Sequence, residues 1–219
     1  MANAVLAKVY CPVEADDVDG PLVIEPEVSR VAAAVVLWIA GGTFTGIAGT
    51  ICVFSFNPKE WFSILCPGIF LLIGIGLDFL AFFYTLKCFN PLPVIALSER
   101  NLYPGTEFEV SWMFRGNARS ISKLTLKLIG KEKVSYREGT KNRTEESIFF
   151  SKTLVETDSQ DTIERGFEEV TLPPNMMHTF KSNNNEIQWL IQVNGVVARW
   201  PDIDDAFPVT VLASPYPVD

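Results

Sequence analysis

Histidine is all but missing from this chain, with His178 its single example, and cysteine is absent from everything after Cys88. Zinc, copper and haem centres draw on two or more His or Cys ligands, so a lone His178 with no cysteine nearby argues against a metal site. A Ser/His/Asp triad would have to recruit the same histidine, and no G-x-S-x-G turn is there to present a serine. Neither a Walker glycine loop nor the G-x-G-x-x-G of a dinucleotide fold occurs. The chain is therefore expected to bind rather than to catalyse, with no cofactor. The cysteines at 11, 52, 66 and 88 cannot staple the C-terminal half, which must stand on a hydrophobic core. Basic excess is missing too. A formal charge of −8 at pH 7 offers nothing to attract phosphate, which argues against nucleic acid as a partner.

Charge is lacking in two further places. Residues Val31 to Phe56 hold no charged side chain, and Trp61 to Leu86 hold one, Asp78. Each run exceeds the ~20 apolar residues that a helix needs to cross about 30 Å of hydrocarbon. Only Asn57-Pro58-Lys59-Glu60 lie between them. This pattern predicts two transmembrane helices, 31–56 and 61–86, turned back as an antiparallel hairpin in the lipid bilayer. Trp61 stands where interfacial indoles anchor. Residues 1–30 read as an extended acidic arm and 87–219 as a soluble β domain. The first span starts at Val31, is too long for a signal h-region and follows an acidic leader, so no cleavable signal is expected. Arg30, Lys87 and Arg100 flank the hairpin on the side of both termini against Lys59 in the turn, which predicts an N-terminus and β domain in the cytoplasm. On that reading the sequon Asn142-Arg143-Thr144 is a polar loop.

In the arm, Val5 to Tyr10 and Leu22-Val23-Ile24 are apolar enough to be buried, which predicts a strand or arm that lies against a neighbour. Asp17-Val18-Asp19-Gly20 resembles part of a calcium loop, but that register puts Ala15 at the first ligand position and Pro26 at the twelfth, where a bidentate Glu is required. The calcium reading of the arm fails on those two residues.

Small residues cluster in the first span, where Gly41, Gly42, Gly46 and Gly49 alternate with Thr43, Thr45 and Thr50. Gly42 and Gly46 form a GxxxG pair, which with Gly49 and with Gly74 of the second span predicts a helix-packing face whose nearest partner is the second span itself. Asp78 costs roughly 2.5–3.5 kcal/mol at mid-bilayer on insertion scales, so it needs a partner. Reflecting the hairpin about its turn sets Asp78 level with Ile39, with Trp38 and Thr43 as candidate donors. A structural hydrogen bond is the favoured role, and an ion- or proton-handling carboxylate the alternative.

After Lys87 the pattern changes to alternation. Phe108, Val110, Trp112 and Phe114 face one side, as do Leu124, Leu126 and Leu128, then Ile187, Trp189, Ile191 and Val193, and Phe207, Val209 and Val211. Weaker segments lie at Val94 to Leu97, Val134 to Tyr136, Ile148 to Leu154 and Phe167 to Leu172. Seven or eight short antiparallel strands with no helix between them predict an all-β, immunoglobulin-like sandwich that follows the α-helical transmembrane hairpin. Asp202, Asp204 and Asp205 could hold Ca²⁺ at one end, but such a cluster is more often a solvated turn.

The succession Leu92-Pro93-Val94, Pro104-Gly105, Leu124-Thr125-Leu126, Val170-Thr171-Leu172-Pro173-Pro174, Ile187 to Val193 and Phe207-Pro208-Val209 resembles an uncharacterised group of bacterial membrane proteins. Members carry two helices followed by an immunoglobulin-like, distantly arrestin-like, sandwich. The resemblance implies a bacterial inner-membrane location and brings no active site. Together these features predict a non-catalytic accessory or scaffold subunit that binds other membrane-protein subunits through the hairpin, the arm and the β-sandwich. The alternative is a homo-oligomeric transport or channel component that uses Asp78.

Overall fold

A computed structural model describes residues 22–26, 29–54 and 62–214. The expectations attached to Val5 to Tyr10, Cys11, Asp17 to Gly20, the turn at Asn57 to Glu60 and Trp61 lie outside the described residues. The chain divides into a helical unit, Val28–Asn90 with Arg199–Pro201, and a β unit made of the rest of the described chain.

The helical unit is two long helices, α1 (Arg30–Phe54) and α2 (Phe62–Lys87), with α2 running on through Pro67. At 1.5 Å per residue each is about 38 Å long, enough to cross a bilayer core. The most buried positions of α1 are Ala34, Gly41 and Ala48, seven residues apart. Gly74 and Ala81 repeat the interval in α2. Seven-residue recurrence keeps one stripe of each helix turned toward the other, as in a coiled coil. Elsewhere on both helices many large apolar side chains are exposed.

In the β unit, nine strands form two sheets. The first sheet has the order β1 (Leu22–Ile24), β2 (Leu92–Leu97), β3 (Glu107–Arg115) and β6 (Arg165–Thr171), all antiparallel. The second runs β5 (Lys141–Thr157), β4 (Ile121–Glu138), β8 (Asn185–Val197) and β7 (Phe180–Lys181), with β9 (Ile203–Val209) also paired to β8. One core lies between the sheets. Phe108, Val110, Trp112 and Phe114 enter it from the first, and Leu124, Leu126, Leu128, Trp189, Ile191 and Phe207 from the second. These are the alternating positions of the sequence.

Leu22–Ile24 is a strand that extends the first sheet, with Leu22 and Ile24 packed on the core. Two features depart from the predicted layout. Leu124 to Leu128 and Val134 to Tyr136 belong to one 18-residue strand, which returns through Gly139 (φ 63°) into the 17-residue β5. Finally, a short helix α3 (Gln160–Glu164) crosses one end of the sandwich, burying Ile163 and accepting the Trp112 indole N–H at Thr162 O, 2.9 Å.

The irregular pattern of Ile148 to Leu154 has a structural cause. Pairing between β4 and β5 shifts at Leu126/Lys127 and again at Gly130/Lys131, so two residues of β5 oppose one of β4 at each place. Such bulges break strict alternation and turn an edge strand away from further pairing. The second bulge lies at Phe149, whose ring covers Gly130 and meets Trp189 edge-on at 5.5 Å, while Phe150 meets the same indole at 5.4 Å.

Gly166 lies flat against the buried Trp112 indole, where an added Cβ would come within 2.9 Å of Cε2. Gly166→Ala is therefore expected to cost about 1–3 kcal/mol through overpacking, seen as a lower Tm by near-UV circular dichroism. Glu109 stands opposite Glu169 across β3 and β6. Partial burial, and then the Glu169 charge, hold the Glu109 carboxyl above the ordinary range. A raised pKa penalises the ionised form. That penalty is absent below the unfolded-state pKa of about 4.3 and complete above the folded-state pKa. Glu109→Gln should melt above the parent at neutral pH, with the gap closing as pH falls through that window in a pH series of thermal melts.

Candidate functional site

The chemistry of the helical unit concentrates along the line where α1 meets α2. Gly41 faces Asp78 so closely that a Cβ on Gly41 would strike the carboxylate and approach the Asp78 backbone N to 2.9 Å. Gly74 faces Thr45, where a Cβ would lie 2.6 Å from the Thr45 backbone N and 3.0 Å from its Cα. Two glycines therefore let the helix backbones touch. Asp78 is held in this gap. Thr45 Oγ1 donates to its Oδ2 at 2.8 Å, whereas Oδ1 is buried with no partner among the described residues.

The donors to Asp78 anticipated from sequence, Trp38 and Thr43, are both engaged elsewhere. Trp38 Nε1 donates to Thr85 Oγ1 at 2.9 Å, and Thr43 Oγ1 donates back to Ile39 O at 2.6 Å. The reflection about the turn assumed a symmetric connection. The helices instead set Asp78 beside Gly41, two residues farther along α1 than Ile39, and Thr45 is the hydroxyl on the inner stripe one turn beyond. Height in the hairpin does not select a face; the seven-residue interval does.

The glycines separate by the same rule. Gly74 lies at the helix contact, and Gly49 makes an ordinary contact with Leu71 Cδ1 at 3.8 Å. Gly42 and Gly46 are different, since a Cβ on either would meet nothing within 4 Å. They floor an open groove of about 480 Å³ walled by Thr43, Ile47, Thr50 and Ile51. Beside it lies an apolar hollow of about 330 Å³ between Phe44, Ile47 and Ile51 of α1 and Pro67 and Phe70 of α2. The groove hydroxyls are satisfied within α1, because Thr50 Oγ1 donates to Gly46 O at 2.7 Å in the manner of Thr43. Gly41 and Thr45 were present in the small-residue cluster but not distinguished there. The signal that marks them is their place in the series Ala34, Trp38, Gly41, Thr45, Ala48, Cys52, whose steps alternate between four and three.

Elsewhere, the acidic cluster, expected as a turn, runs into β9 at Asp204 and Asp205 and disperses its carboxylates. Asp202 Oδ1 accepts from Val197 N at 3.0 Å, and Asp204 Oδ1 accepts from Gln192 Nε2 and Asn194 Nδ2 at 3.2 and 3.0 Å. Among the described residues no group of three His, Cys, Asp or Glu side chains is placed to hold a metal ion. His178 is exposed.

Losing the Thr45 donor would leave both Asp78 oxygens without a partner among the described residues, a cost of about 1–3 kcal/mol. In a chain retaining only Cys52, which is half-buried on the inner stripe, Thr45→Val should therefore speed alkylation of the thiol by about tenfold. Thr45→Ser should restore the parent rate.

The sequence matches no protein-family model and no curated protein sequence. Among solved structures it is similar to Spo0M, a sporulation control protein from Bacillus subtilis, at 14% identity and a TM-score of 0.41. The similarity covers 57% of this chain and 50% of that one, so the chain spans about half the length of its neighbour. At that level nothing about activity passes between the two.

Proposed function

We propose that this protein is a non-catalytic accessory or scaffold subunit of a larger membrane complex, anchored by the α1–α2 hairpin. Both helices are apolar enough to cross a bilayer, with mean hydropathy of 1.9 and 2.2. Only 17% and 11% of their most apolar windows is buried within the protein, unlike the core helices of a soluble domain. Large side chains such as Val36, Ile39, Val53, Leu72 and Phe79 point outward instead. The proposal extends to a bacterial inner membrane, on the resemblance described above, with the N-terminus and β domain in the cytoplasm, on the charge bias.

The observation that carries the reading is the open Gly42–Gly46 groove. The hairpin uses Gly41 and Gly74 to bring its own backbones together, which leaves the GxxxG pair on a face that the hairpin does not need. Without side chains there, a third helix backbone can approach as closely as the two helices approach each other. Other membrane-protein subunits are the partners this fits. The alternative, a transport or channel path through Asp78, draws support from the unpartnered Oδ1. Against it stands the position of Asp78 between Gly41 and Thr45, on the closed side of the hairpin and not on the open one.

Because nothing lies within 4 Å of either position, Gly42→Leu and Gly46→Leu should leave the hairpin intact, with Cys52 alkylated at the parent rate. Both should release the chain from the large species expected on blue native electrophoresis after extraction in mild detergent. A parent chain that leaves its native membrane as a clean monomer would sink the proposal.

A further inference from the structure

One group of exposed aromatics lies beyond the helices and outside the groove. Phe89, two residues past the end of α2, is 75% exposed, and Trp200, from the β8–β9 loop, is 47% exposed. Their ring centroids are 6.5 Å apart. Residues Arg199–Pro201 belong to the helical unit and not to the strands that flank them. Asn90, itself buried, secures them by donating from Nδ2 to Pro201 O at 2.6 Å. Arg199 has a φ of 66°, the one positive value at a non-glycine among the described residues. That conformation is costly for a long side chain and persists where the surroundings impose it. Its result is a loop tip that displays an indole, whose N–H has no partner among the described residues.

The same end of the helical unit carries Arg30 and Lys87. Arg30 Nη1 donates to Lys87 O at 3.3 Å. The Lys87 ammonium lies 5.6 Å from the Phe83 ring centroid and 5.5 Å from that of Tyr84. Basic residues and aromatics at the end of an apolar helix are the composition of a membrane–water boundary. An exposed indole suits that layer, because its ring can rest on acyl chains while its N–H donates to lipid ester or phosphate oxygens.

We propose that Trp200 and Phe89 form an interfacial anchor, with the Trp200 indole seated in the headgroup layer of the bilayer that holds the hairpin. This rests on the membrane reading above and adds a contact from a loop 113 residues farther along the chain than Lys87. The occupant is lipid because the pair continues the exposed apolar surface of α2 past its charged end.

Three single-cysteine chains, Trp200→Cys, Leu72→Cys and Thr144→Cys, each with the native cysteines replaced by serine, would carry a nitroxide label in vesicles of phosphatidylcholine and phosphatidylglycerol. Electron paramagnetic resonance then compares collision with oxygen and with a water-soluble nickel chelate. The Leu72 label, on an outward face of α2, should be open to oxygen and shielded from nickel. The Thr144 label, on an exposed stretch of β5, should be open to nickel. At Trp200 nickel access should fall several-fold below Thr144 without reaching the oxygen access of Leu72. A Trp200 label as open to nickel as Thr144, with Leu72 still shielded, overturns the anchor and leaves the membrane reading standing. A nickel-accessible Leu72 overturns both. In the unlabelled chain, lipids brominated near the headgroup should quench a component of tryptophan fluorescence that Trp200→Phe removes; equal quenching in parent and variant would count against the anchor.

Discussion

Contact between two helix backbones governs the helical unit, and it exists because Gly41 and Gly74 carry no Cβ. At that distance the Thr45 hydroxyl reaches Asp78 across the gap, and a carboxylate in an otherwise apolar segment gains a donor from its own chain. The interval that puts these residues on the inner stripe also sends Gly42 and Gly46 outward. One periodicity thus closes one face and opens another. Residues adjacent in sequence, Gly41 and Gly42, consequently have opposite duties.

The β unit solves a comparable problem with different means. Its indoles are buried and their N–H groups must be met locally, by Thr162 O for Trp112 and by Met177 O, at 2.8 Å, for Trp189. Both acceptors lie outside the strands that hold the indoles, in α3 and in the segment before β7. Around Trp189 the bulge in β5 supplies two consecutive phenylalanines. The regular strands therefore set the core, and the irregular segments complete it.

Much of the fold was legible because burial follows period. Alternation marked Phe108 to Phe114 and Ile187 to Val193 as strands with one inner face, and those inner positions are the ones in the core. Uncharged runs marked α1 and α2 to within two residues at the described ends. Legibility stopped where pattern is local and pairing is not. Three residues, Leu22–Ile24, do not say which sheet they join, and β5 loses its alternation at bulges that only pairing with β4 creates. The candidate site divides similarly. Asp78 was conspicuous as a lone charge in an apolar helix and required a partner, yet Thr45 could not be told from Thr43 without knowing which stripe of α1 faces α2.

Composition and periodicity alone determined that the chain holds two long apolar helices and an alternating β region, that one carboxylate lies among apolar residues, and that the familiar catalytic and metal-binding motifs are missing. These follow from residue type and spacing, which act over a few residues. Tertiary structure decided which glycines close the hairpin and which stay open, which hydroxyl serves Asp78, and that Trp200 comes to rest beside Phe89. Each of those depends on the rotation of one element against another. That rotation is set by the best fit of whole surfaces, which no short stretch of sequence contains.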